Sequence, residues 1–310
     1  MNIVCVEPLG ISQANFEVLK KEFAFQGHSF HYYLDRKEDA ETLVNRMKEA
    51  DIAVISNIKL PSEVLMNCTH LQYLSVAFTG LDHIDLNYCK THNIAVQNAA
   101  GYSTTAVSEL AIGLMLDLLR QITHFDGTIR RGEGRGMYLG RELRGKTVGV
   151  VGTGAIGTAT IRLLLAFGCK VLAYNRSSHP DVVNLGVRYT DLDTLMSESD
   201  IVTLHVPMTE ETHHLISRER LAMMKPNAIL INTARGNVVD IPALAEALTS
   251  GKIAGAAIDV YEKEPPLPLD HPLLNAPNCV CLPHIGYASR EAFDIRAEIV
   301  FNHVRNFLQK

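Results

Sequence analysis

Three side chains that can bind anions or move protons lie at the ends of short apolar stretches. Arg235 follows "INTA" (231–234), Glu264 falls within "IDVYEKEP" (258–265), and His284 falls within "LPHIG" (282–286). Such stretches predict buried parallel strands, whose carboxyl ends meet at one edge of a sheet, where ligands bind. Together the three form a workable catalytic set. Taken singly, they could instead be a surface ion pair, a solvated carboxylate and a capping histidine.

A glycine string, "GTGAIG" (152–157), follows the apolar run "VGVV" (148–151) and opens a predicted helix. Gly152 permits the tight turn, Gly154 lets a pyrophosphate approach the backbone, and Gly157 lets helix and strand pack closely. The N–H groups at the start of the helix favour phosphates. With a second predicted strand ending at Tyr174, the arrangement indicates a dinucleotide site beside the three side chains.

The residues after Tyr174 bear on which dinucleotide binds. An acidic side chain that holds the ribose hydroxyls is expected there, but the sequence has Asn175. Loss of the acid removes repulsion of a 2′-phosphate, and Arg176 and Ser177 offer hydrogen-bond donors to it. The sequence therefore favours NADP(H). NAD(H) remains possible if Arg176 points to solvent and Asn175 holds a ribose hydroxyl.

The order of predicted elements indicates an α/β protein with two doubly wound parallel sheets, because short β-branched runs alternate with helical patterns. Strands are predicted at 3–6, 29–33, 52–56, 73–77 and 94–96, and in a second series at 147–151, 170–174, 200–205, 228–232, 254–258 and 279–282. Helices are predicted at 16–25, 40–47, 104–120, 155–167, 242–250 and 289–308. The Gly- and Arg-rich segment 124–142 is predicted to be a surface loop, or a loop that borders an anionic site or a subunit partner.

Composition excludes several classes of protein. The 310 residues are 47% hydrophobic and 20% charged with a net charge of −5, so no field attracts nucleic acid or an anionic membrane. No signal peptide is visible, and the six scattered cysteines then indicate reduced thiols and a cytoplasmic protein. Cys279 and Cys281 are predicted to share one face of a strand, and no metal is expected. His213 and His214 are predicted to lie on the surface with their rings pointing apart.

Several long motifs identify a family resemblance that covers nearly the whole chain. They are "SVAFTGLDHIDL" (75–86), "NAAGYSTTAVSELAIGLML" (98–116), "GTGAIG", "LHVPMTEETHHLI" (204–216), "MKPNAILINTARGNVVD" (224–240), "AAIDVYEKEPP" (256–266) and "LPHIG". The sequence resembles the D-isomer-specific 2-hydroxyacid dehydrogenases, which include D-lactate, D-glycerate and phosphoglycerate dehydrogenases and hydroxypyruvate and glyoxylate reductases. The resemblance implies reversible reduction of a small 2-keto acid to the D-2-hydroxy acid with NAD(P)H.

The resemblance also implies roles for the catalytic residues. Arg235 would hold the substrate carboxylate and keto oxygen through its planar fork. His284 would give a proton to the carbonyl oxygen, and Glu264 would fix the tautomer of His284 and favour its imidazolium form. The substrate would further meet Phe78, Thr79, Gly80 and Tyr287, with Tyr287 standing where the family has a small residue. Tyr287 could equally point into the interface between the domains.

The cofactor would contact residues from several motifs, with Asp259 near the nicotinamide. The full set implied is Thr105, Gly152, Gly154, Ala155, Ile156, Gly157, Asn175, Arg176, Ser177, His205, Val206, Pro207, Thr212, Thr233, Ala234, Asp259 and Gly286.

The family architecture implies a discontinuous first domain. A flavodoxin-like substrate domain would comprise residues 1–99 and 286–310, and a Rossmann dinucleotide-binding domain, residues 100–285, would be inserted into it. A homodimer is expected, with no nucleic-acid or membrane partner. Two other functions remain open: a non-catalytic, corepressor-like protein that senses NAD(H) on the same fold, and a relative that oxidises phosphite.

Overall fold

Residues 1–309 of the computed structural model form two compact units. The first unit comprises Met1–Ser103 and the residues from Ala288 onward, and the second comprises Thr104–Tyr287. Each unit contains one sheet in which all strand pairs are parallel, which confirms the predicted α/β class. In residues 1–309, no helix combines the length and the apolar character needed to cross a bilayer.

The first unit has a five-stranded sheet with strand order β2-β1-β3-β4-β5. Its strands are β1 (Asn2–Cys5), β2 (Ser29–Tyr32), β3 (Ile52–Ile55), β4 (Tyr73–Val76) and β5 (Ala95–Asn98). Its helices are α1 (Gln13–Phe25), α2 (Ala40–Met47), α3 (Ser62–Leu65), α4 (Leu86–Thr91) and a helix late in the sequence, Arg290–Leu308, here called the return helix.

The return helix completes the core of the first unit. Its Phe301 packs edge-on against Phe30 at a ring-centroid distance of 5.8 Å and lies 6.4 Å from the ring of Phe23. The Ser75 hydroxyl of β4 donates a hydrogen bond to the Val300 carbonyl at 3.0 Å. Helix and sheet are thus joined by both aromatic packing and a polar contact.

The return helix also brings a charged side chain into this core. Arg296 is 3% exposed, and its guanidinium lies 4.1 Å from the centroid of the Phe293 ring. It donates to the Ser56 hydroxyl at 3.1 Å and to the Leu9 carbonyl at 2.8 Å. These bonds offset the cost of burying the charge and link the helix to the segments that follow β1 and β3.

The second unit has a seven-stranded sheet with strand order β12-β11-β10-β9-β6-β7-β8. Its strands are β6 (Thr147–Val151), β7 (Lys170–Tyr174), β8 (Arg188–Tyr189), β9 (Ile201–Leu204), β10 (Ile229–Asn232), β11 (Gly255–Ile258) and β12 (Cys279–Cys281). Its helices are α5 (Thr104–Arg120), α6 (Ile122–Arg130), α7 (Ala155–Ala166), α8 (Pro180–Val183), α9 (Leu192–Glu198), α10 (Arg218–Met223) and α11 (Ile241–Thr249), with 3₁₀ turns at Gly236–Val238 and Pro272–Asn275.

Both faces of the seven-stranded sheet are buried. Side chains such as Val202 and Leu230 pack on one face under α9, α10 and α11. On the other face Val150 and Ile231 pack under α5 and α7. Burial on two faces explains why these strands appear in the sequence as continuous apolar runs.

Two local predictions were wrong. The predicted loop over 124–142 begins with α6, whose Ile122, Phe125 and Ile129 have helical spacing; α6 follows α5 after one left-handed residue, Gln121 (φ 52°). The rings of His213 and His214 stack at 4.0 Å instead of pointing apart, because His214 adopts a left-handed backbone (φ 49°).

Candidate active site

Arg235 lies three residues beyond the end of β10, in a turn that the Asn232 side chain holds. Asn232 is fully buried; its Oδ1 accepts the Ala234 amide at 3.0 Å and its Nδ2 donates to the Arg235 carbonyl at 3.0 Å. The Arg235 guanidinium donates to the Ala234 carbonyl at 2.8 Å. These bonds fix the direction in which the chain leaves β10.

Gly236 joins this turn to the segment that carries Glu264. A Cβ added at Gly236 would lie 1.9 Å from the carbonyl carbon of Tyr261, so only glycine fits. Asn232 and Gly236 were not singled out from the sequence. The available signal was a polar residue at the end of a buried strand and a glycine directly after the candidate arginine.

His284 and Glu264 form a close pair. His284 Nδ1 lies 2.9 Å and 2.8 Å from the two carboxylate oxygens of Glu264. The hydrogen bond to His284, with further help from the charge of Arg235, holds the pKa of Glu264 below its usual range. The carboxylate is therefore ionised and fixes the Nδ1–H form of His284, which leaves Nε2 as the ring nitrogen for proton transfer.

The Asp259 carboxylate fixes the loop that carries His284. Asp259, 1% exposed at the end of β11, accepts the Ile285 amide and the Gly286 amide, each at 2.8 Å. A Cβ at Gly286 would lie 2.9 Å from Asp259 Oδ2, so this residue is small for a packing reason. His284 itself has a left-handed backbone (φ 57°), a conformation that these two bonds help to maintain. Both Asp259 oxygens thus contact the loop of His284.

Tyr287 lies beside His284. The two rings meet edge to face with a centroid distance of 5.3 Å. Its aromatic ring therefore adds an apolar surface next to the imidazole.

The glycine string forms a narrow turn between β6 and α7. Gly152 has φ 98°, and an added Cβ would lie 2.6 Å from the His205 carbonyl oxygen. A Cβ at Gly157 would lie 2.0 Å from the Gly152 carbonyl oxygen, whereas a Cβ at Gly154 has open space around it. Gly154 is the N-cap of α7, and Ala155 and Ile156 lie in the first turn of that helix. The turn leaves a gap at Gly154 in which a phosphate fits against the backbone.

Two buried polar atoms near these strand ends have no hydrogen-bond partner among residues 1–309. They are Nδ1 of His205, beyond β9, and Oγ1 of Thr233, beyond β10. The other ring nitrogen of His205 lies 3.0 Å from the Thr203 hydroxyl, and burial lowers the pKa of His205 to about 4. A buried polar atom without a partner is costly unless a ligand supplies one. His205 Nδ1 and Thr233 Oγ1, together with the glycine turn, therefore fit a bound dinucleotide.

The residues after β7 are held by their own contacts. Asn175 Nδ2 donates to the Ser177 carbonyl at 2.9 Å and lies 3.3 Å from His179 Nε2. Tyr189 in β8 donates to the Thr153 hydroxyl at 2.9 Å and accepts the His179 amide at 3.2 Å. Tyr189 therefore ties the glycine turn to this loop, a connection not visible in the sequence.

Arg176 is exposed in the same loop. Its charge contributes to a lowered pKa of Glu211, behind the larger effect of the Thr209 hydroxyl, which donates to that carboxylate. Arg176 therefore lies close to the segment after β9.

The remaining predicted site residues lie in loops and first turns. In the first unit, the Phe78 carbonyl accepts the Ala99 amide and the Thr79 carbonyl accepts Asn98 Nδ2, which holds the loop before Gly80. In the second unit, Thr105 is exposed in the first turn of α5, and Thr212 donates to the Pro207 carbonyl at 2.7 Å, next to Val206.

The cysteines are thiols throughout residues 1–309. Cys279 and Cys281 share a face of β12 as predicted, with their sulfur atoms 3.7 Å apart. Within the same residues, no group of three or more His, Cys, Asp or Glu side chains is arranged to hold a metal ion.

The comparisons with known proteins agree on one family. Residues 112–286 match the family model of the D-isomer specific 2-hydroxyacid dehydrogenase NAD binding domain. A glyoxylate reductase of Thermofilum pendens is 42% identical over 277 residues, which cover 87% of this chain and 81% of that protein. A hydroxypyruvate reductase of Blautia hydrogenotrophica is 33% identical over 312 residues, covering 98% and 94%.

Solved structures that resemble this chain also include a dehydrogenase and a reductase. D-lactate dehydrogenase of Aquifex aeolicus, complexed with NAD and lactic acid, is 33% identical with a TM-score of 0.85 and covers 100% of this chain and 96% of that one. An acyclic imino acid reductase in complex with NADPH and D-Arg is 30% identical with a TM-score of 0.88, covering 100% and 97%. The chain is therefore an oxidoreductase that binds a nicotinamide cofactor, and it belongs to the D-isomer-specific 2-hydroxyacid dehydrogenase family.

Proposed function

We propose that this protein reversibly reduces a small, unphosphorylated 2-keto acid of the glyoxylate, hydroxypyruvate or pyruvate class to the D-2-hydroxy acid. The observation that carries the proposal is the His284–Glu264 pair at 2.8–2.9 Å, with Arg235 near enough to lower the pKa of Glu264. An acid–base pair beside a fixed arginine suits a carboxylate-bearing carbonyl compound. The names of the relatives, glyoxylate reductase and hydroxypyruvate reductase, point to the same class.

In this proposal each residue has one task. A bound NAD(P)H supplies the hydride that adds to C2 of the keto acid. Arg235 binds the substrate carboxylate and orients the keto oxygen. His284 donates the proton on Nε2 to that oxygen, and Glu264 stabilises the imidazolium that must form before each turnover. In the oxidative direction neutral His284 takes the proton back.

The first unit would bind the substrate and the second the dinucleotide. The backbone at Thr79 and Gly80 would donate N–H groups to the substrate carboxylate, with Phe78 beside it. Tyr287 would restrict the substrate's side chain, since its ring packs against His284. This is why small acids are favoured over branched ones.

The dinucleotide would lie along the carboxyl ends of the second sheet. Gly152, Gly154, Ala155, Ile156 and Gly157 would hold the pyrophosphate. His205 and Thr233, whose buried polar atoms have no partner within residues 1–309, would face the cofactor, with contacts from Thr105, Val206, Pro207, Thr212, Ala234, Asp259 and Gly286.

We further propose that NADP(H) is preferred over NAD(H). Asn175 puts no negative charge where a 2′-phosphate would lie, and Arg176 and Ser177 are exposed beside it. The 2.9 Å bond from Asn175 to the Ser177 carbonyl supports the loop in which Arg176 and Ser177 lie. The NADPH complex of the imino acid reductase makes this cofactor chemistry compatible with the fold.

The activity is tested by following NADPH and NADH oxidation with glyoxylate, hydroxypyruvate, pyruvate and 2-ketoisocaproate, and NAD(P)⁺ reduction with phosphite. We expect turnover with one or more of the three small keto acids. Cofactor binding without any turnover would favour a sensing protein, and turnover with phosphite alone would favour the phosphite-oxidising alternative. His284→Ala should lower kcat far more than it weakens cofactor binding.

Cofactor choice is tested by comparing kcat/KM for NADPH and NADH in the unaltered protein and in Asn175→Asp and Arg176→Gln. We expect both substitutions to shift preference toward NADH, mainly through KM for NADPH. A preference for NADH in the unaltered protein would contradict the assignment.

A homodimer is also proposed, through the segment that begins at α6. Ile122, Ile129, Met137 and Leu139 of this segment are 56%, 67%, 95% and 82% exposed, so four apolar side chains are available for a contact between two copies. Light scattering of the unaltered protein should give twice the chain mass, and the Met137→Lys, Leu139→Glu double variant should give monomers. A monomeric unaltered protein would refute this.

A further inference from the structure

Two of the six cysteines differ from the others in their position. Cys5, Cys68, Cys89 and Cys169 are buried, whereas Cys279 and Cys281 are only partly buried. The sulfur atoms of Cys279 and Cys281 are 3.7 Å apart on the same face of β12. β12 is an edge strand of the seven-stranded sheet and pairs with β11 only.

The backbone spacing brings this pair near the limit for a disulfide. Alternate residues of a strand have Cα atoms roughly 6.4–6.8 Å apart, whereas disulfides usually have about 5.5–6 Å and tolerate up to about 6.8 Å. The Cβ atoms of alternate strand residues are separated by a similar distance, whereas a disulfide needs about 3.5–4.5 Å, so closing a bond here would bend the strand and shorten it by roughly 1 Å or more. An edge strand can adjust in this way because one of its sides is not paired to another strand.

Access and acidity also favour reaction at this pair. Cys279 borders a cavity of about 250 Å³ that Ala276, Asn278 and Val280 also line, so a small oxidant can approach Cys279 and, through it, the Cys281 sulfur 3.7 Å away. The Cys279 thiol hydrogen bonds to Cys281, which lowers the pKa of Cys281 and raises that of Cys279. Cys281 is therefore the thiol that more readily supplies a thiolate.

We propose that Cys279 and Cys281 form a redox-active dithiol, whose oxidation by hydrogen peroxide to an intramolecular disulfide displaces the loop that carries His284. The Cys281 thiolate attacks one peroxide oxygen, the O–O bond breaks, and the departing hydroxide becomes water. Cys279 then attacks the sulfenic sulfur of Cys281, forming the S–S bond and releasing a second water, which takes the Cys279 proton. The two thiols lose two electrons and peroxide gains them.

The connection to His284 is short and stiff. After Cys281, the Leu282 amide donates to the Ile258 carbonyl at 2.9 Å, and Pro283 leads directly to His284. The next anchors are the Ile285 and Gly286 amides on the Asp259 carboxylate. A strand shortened at Cys281 pulls on this segment, so the Asp259 bonds must lengthen or His284 must move away from Glu264.

The chemical step is tested on the whole protein by intact-mass measurement after treatment with a small excess of peroxide at neutral pH. We expect a loss of two hydrogen atoms, reversed by dithiothreitol, with the bond mapped to the 279–281 peptide. Cys279→Ser should stop at a sulfenic acid on Cys281 that dimedone traps. Cys169→Ser, which removes a buried thiol of the same unit, should still form the bond. Separate oxidation of the two thiols without a bond between them would overturn the proposal.

The structural step is tested by hydrogen exchange, which does not depend on activity. Exchange at the Ile285 and Gly286 amides should rise at least tenfold in the oxidised protein and return to its original rate on reduction. The Cys279→Ser, Cys281→Ser double variant should show no change with peroxide. Unchanged exchange in a protein shown to hold the bond would contradict the coupling.

A kinetic consequence rests on the proposed function. Where the reduced protein turns over a 2-keto acid, kcat should fall at least tenfold on oxidation and recover with dithiothreitol, except in the double variant. An equal fall in the kcat of the double variant on treatment with peroxide would overturn the proposed switch. A protein without any turnover would refute the proposed function, whereas mass and exchange measurements would still decide on the dithiol.

Discussion

Asp259 Oδ2 accepts the backbone amide of Gly286 at 2.8 Å, one bond of a pair that sets the position of His284. Asp259→Asn replaces one carboxylate oxygen with an NH₂ group of similar size. That NH₂ group would face a backbone N–H of the His284 loop, and one of the two hydrogen bonds would be lost. We expect Asp259→Asn to lower kcat for keto acid reduction by about 100-fold or more, since misplacement by an ångström has costs of this order.

The same variant separates two roles for Asp259. The dissociation constant of the cofactor, measured by fluorescence titration, should change far less than kcat, because Asp259 is one of many proposed cofactor contacts but supplies both anchors of the His284 loop. If cofactor affinity collapses while kcat is maintained, Asp259 acts at the nicotinamide end and does not position His284.

The glycine string allows a matched pair of substitutions. A Cβ at Gly157 would lie 2.0 Å from a backbone oxygen, whereas one at Gly154 meets open space. Gly157→Ala should therefore destabilise the fold, seen as a lower urea midpoint. Gly154→Ala should leave the midpoint nearly unchanged and weaken dinucleotide binding, measured by fluorescence titration. Equal affinities of Gly154→Ala and the unaltered protein would place the pyrophosphate elsewhere.

His205 makes stability depend on pH in a defined direction. Burial lowers its pKa from 6.5 to about 4, so the unfolded chain takes up a proton at a higher pH than the folded chain does. The free energy of unfolding should fall as pH decreases from about 6.5 to about 4, by at most about 3 kcal/mol. Above that window the group contributes no pH dependence.

The control variant is His205→Gln, whose side-chain amide does not titrate and can still hydrogen bond to the Thr203 hydroxyl. Urea unfolding at steps from pH 7 to pH 4 should give a shallower decline for the variant than for the unaltered protein. Parallel curves would show that His205 takes up its proton in the folded state.

A fourth prediction concerns the ion pair between α1 and the return helix. Arg305 Nε and Nη2 lie 2.6 Å and 2.9 Å from the Glu22 carboxylate, and this hydrogen bonding holds the pKa of Glu22 below its ordinary range. Because the folded pKa is depressed, the stabilisation is present above about pH 4.5 and is lost as pH falls through the folded value.

Arg305→Met should therefore lower the free energy of unfolding by about 1 kcal/mol at pH 7 and by less near pH 3. Arg290→Met, at the other end of the same helix, is the control for removal of charge alone. A loss of the same size at both pH values would assign the effect to packing of the Arg305 stem.

The fold could be anticipated because its sheets are buried on two faces. Strands such as β6 and β10 are continuous apolar runs in the sequence, and turn residues separate them from helices. The apolar pattern of the sequence did not predict elements that are very short or weakly periodic. β8 has two residues, and α6 follows α5 after a single left-handed residue, Gln121, in a segment where glycines and arginines obscure three spaced apolar side chains.

Residue types at strand ends predicted that Arg235, Glu264 and His284 could converge. The structure brings His284 to Glu264, and Arg235 acts on the same carboxylate. The supporting contacts could not be predicted, since they depend on three-dimensional proximity. Neither the Asn232 bonds inside the Arg235 turn nor the bridge from Tyr189 to Thr153 has a local sequence signature.

The return helix has a consequence for synthesis on the ribosome. The sheet of the first unit is translated before residue 104, but Phe301, Val300 and Arg296, which cover and anchor it, emerge only after the whole second unit. The second unit is contiguous and can fold as it emerges. The first must hold a five-stranded sheet with an exposed apolar face during that interval, so nascent chains stalled before residue 288 are the species that chaperones should recognise most strongly.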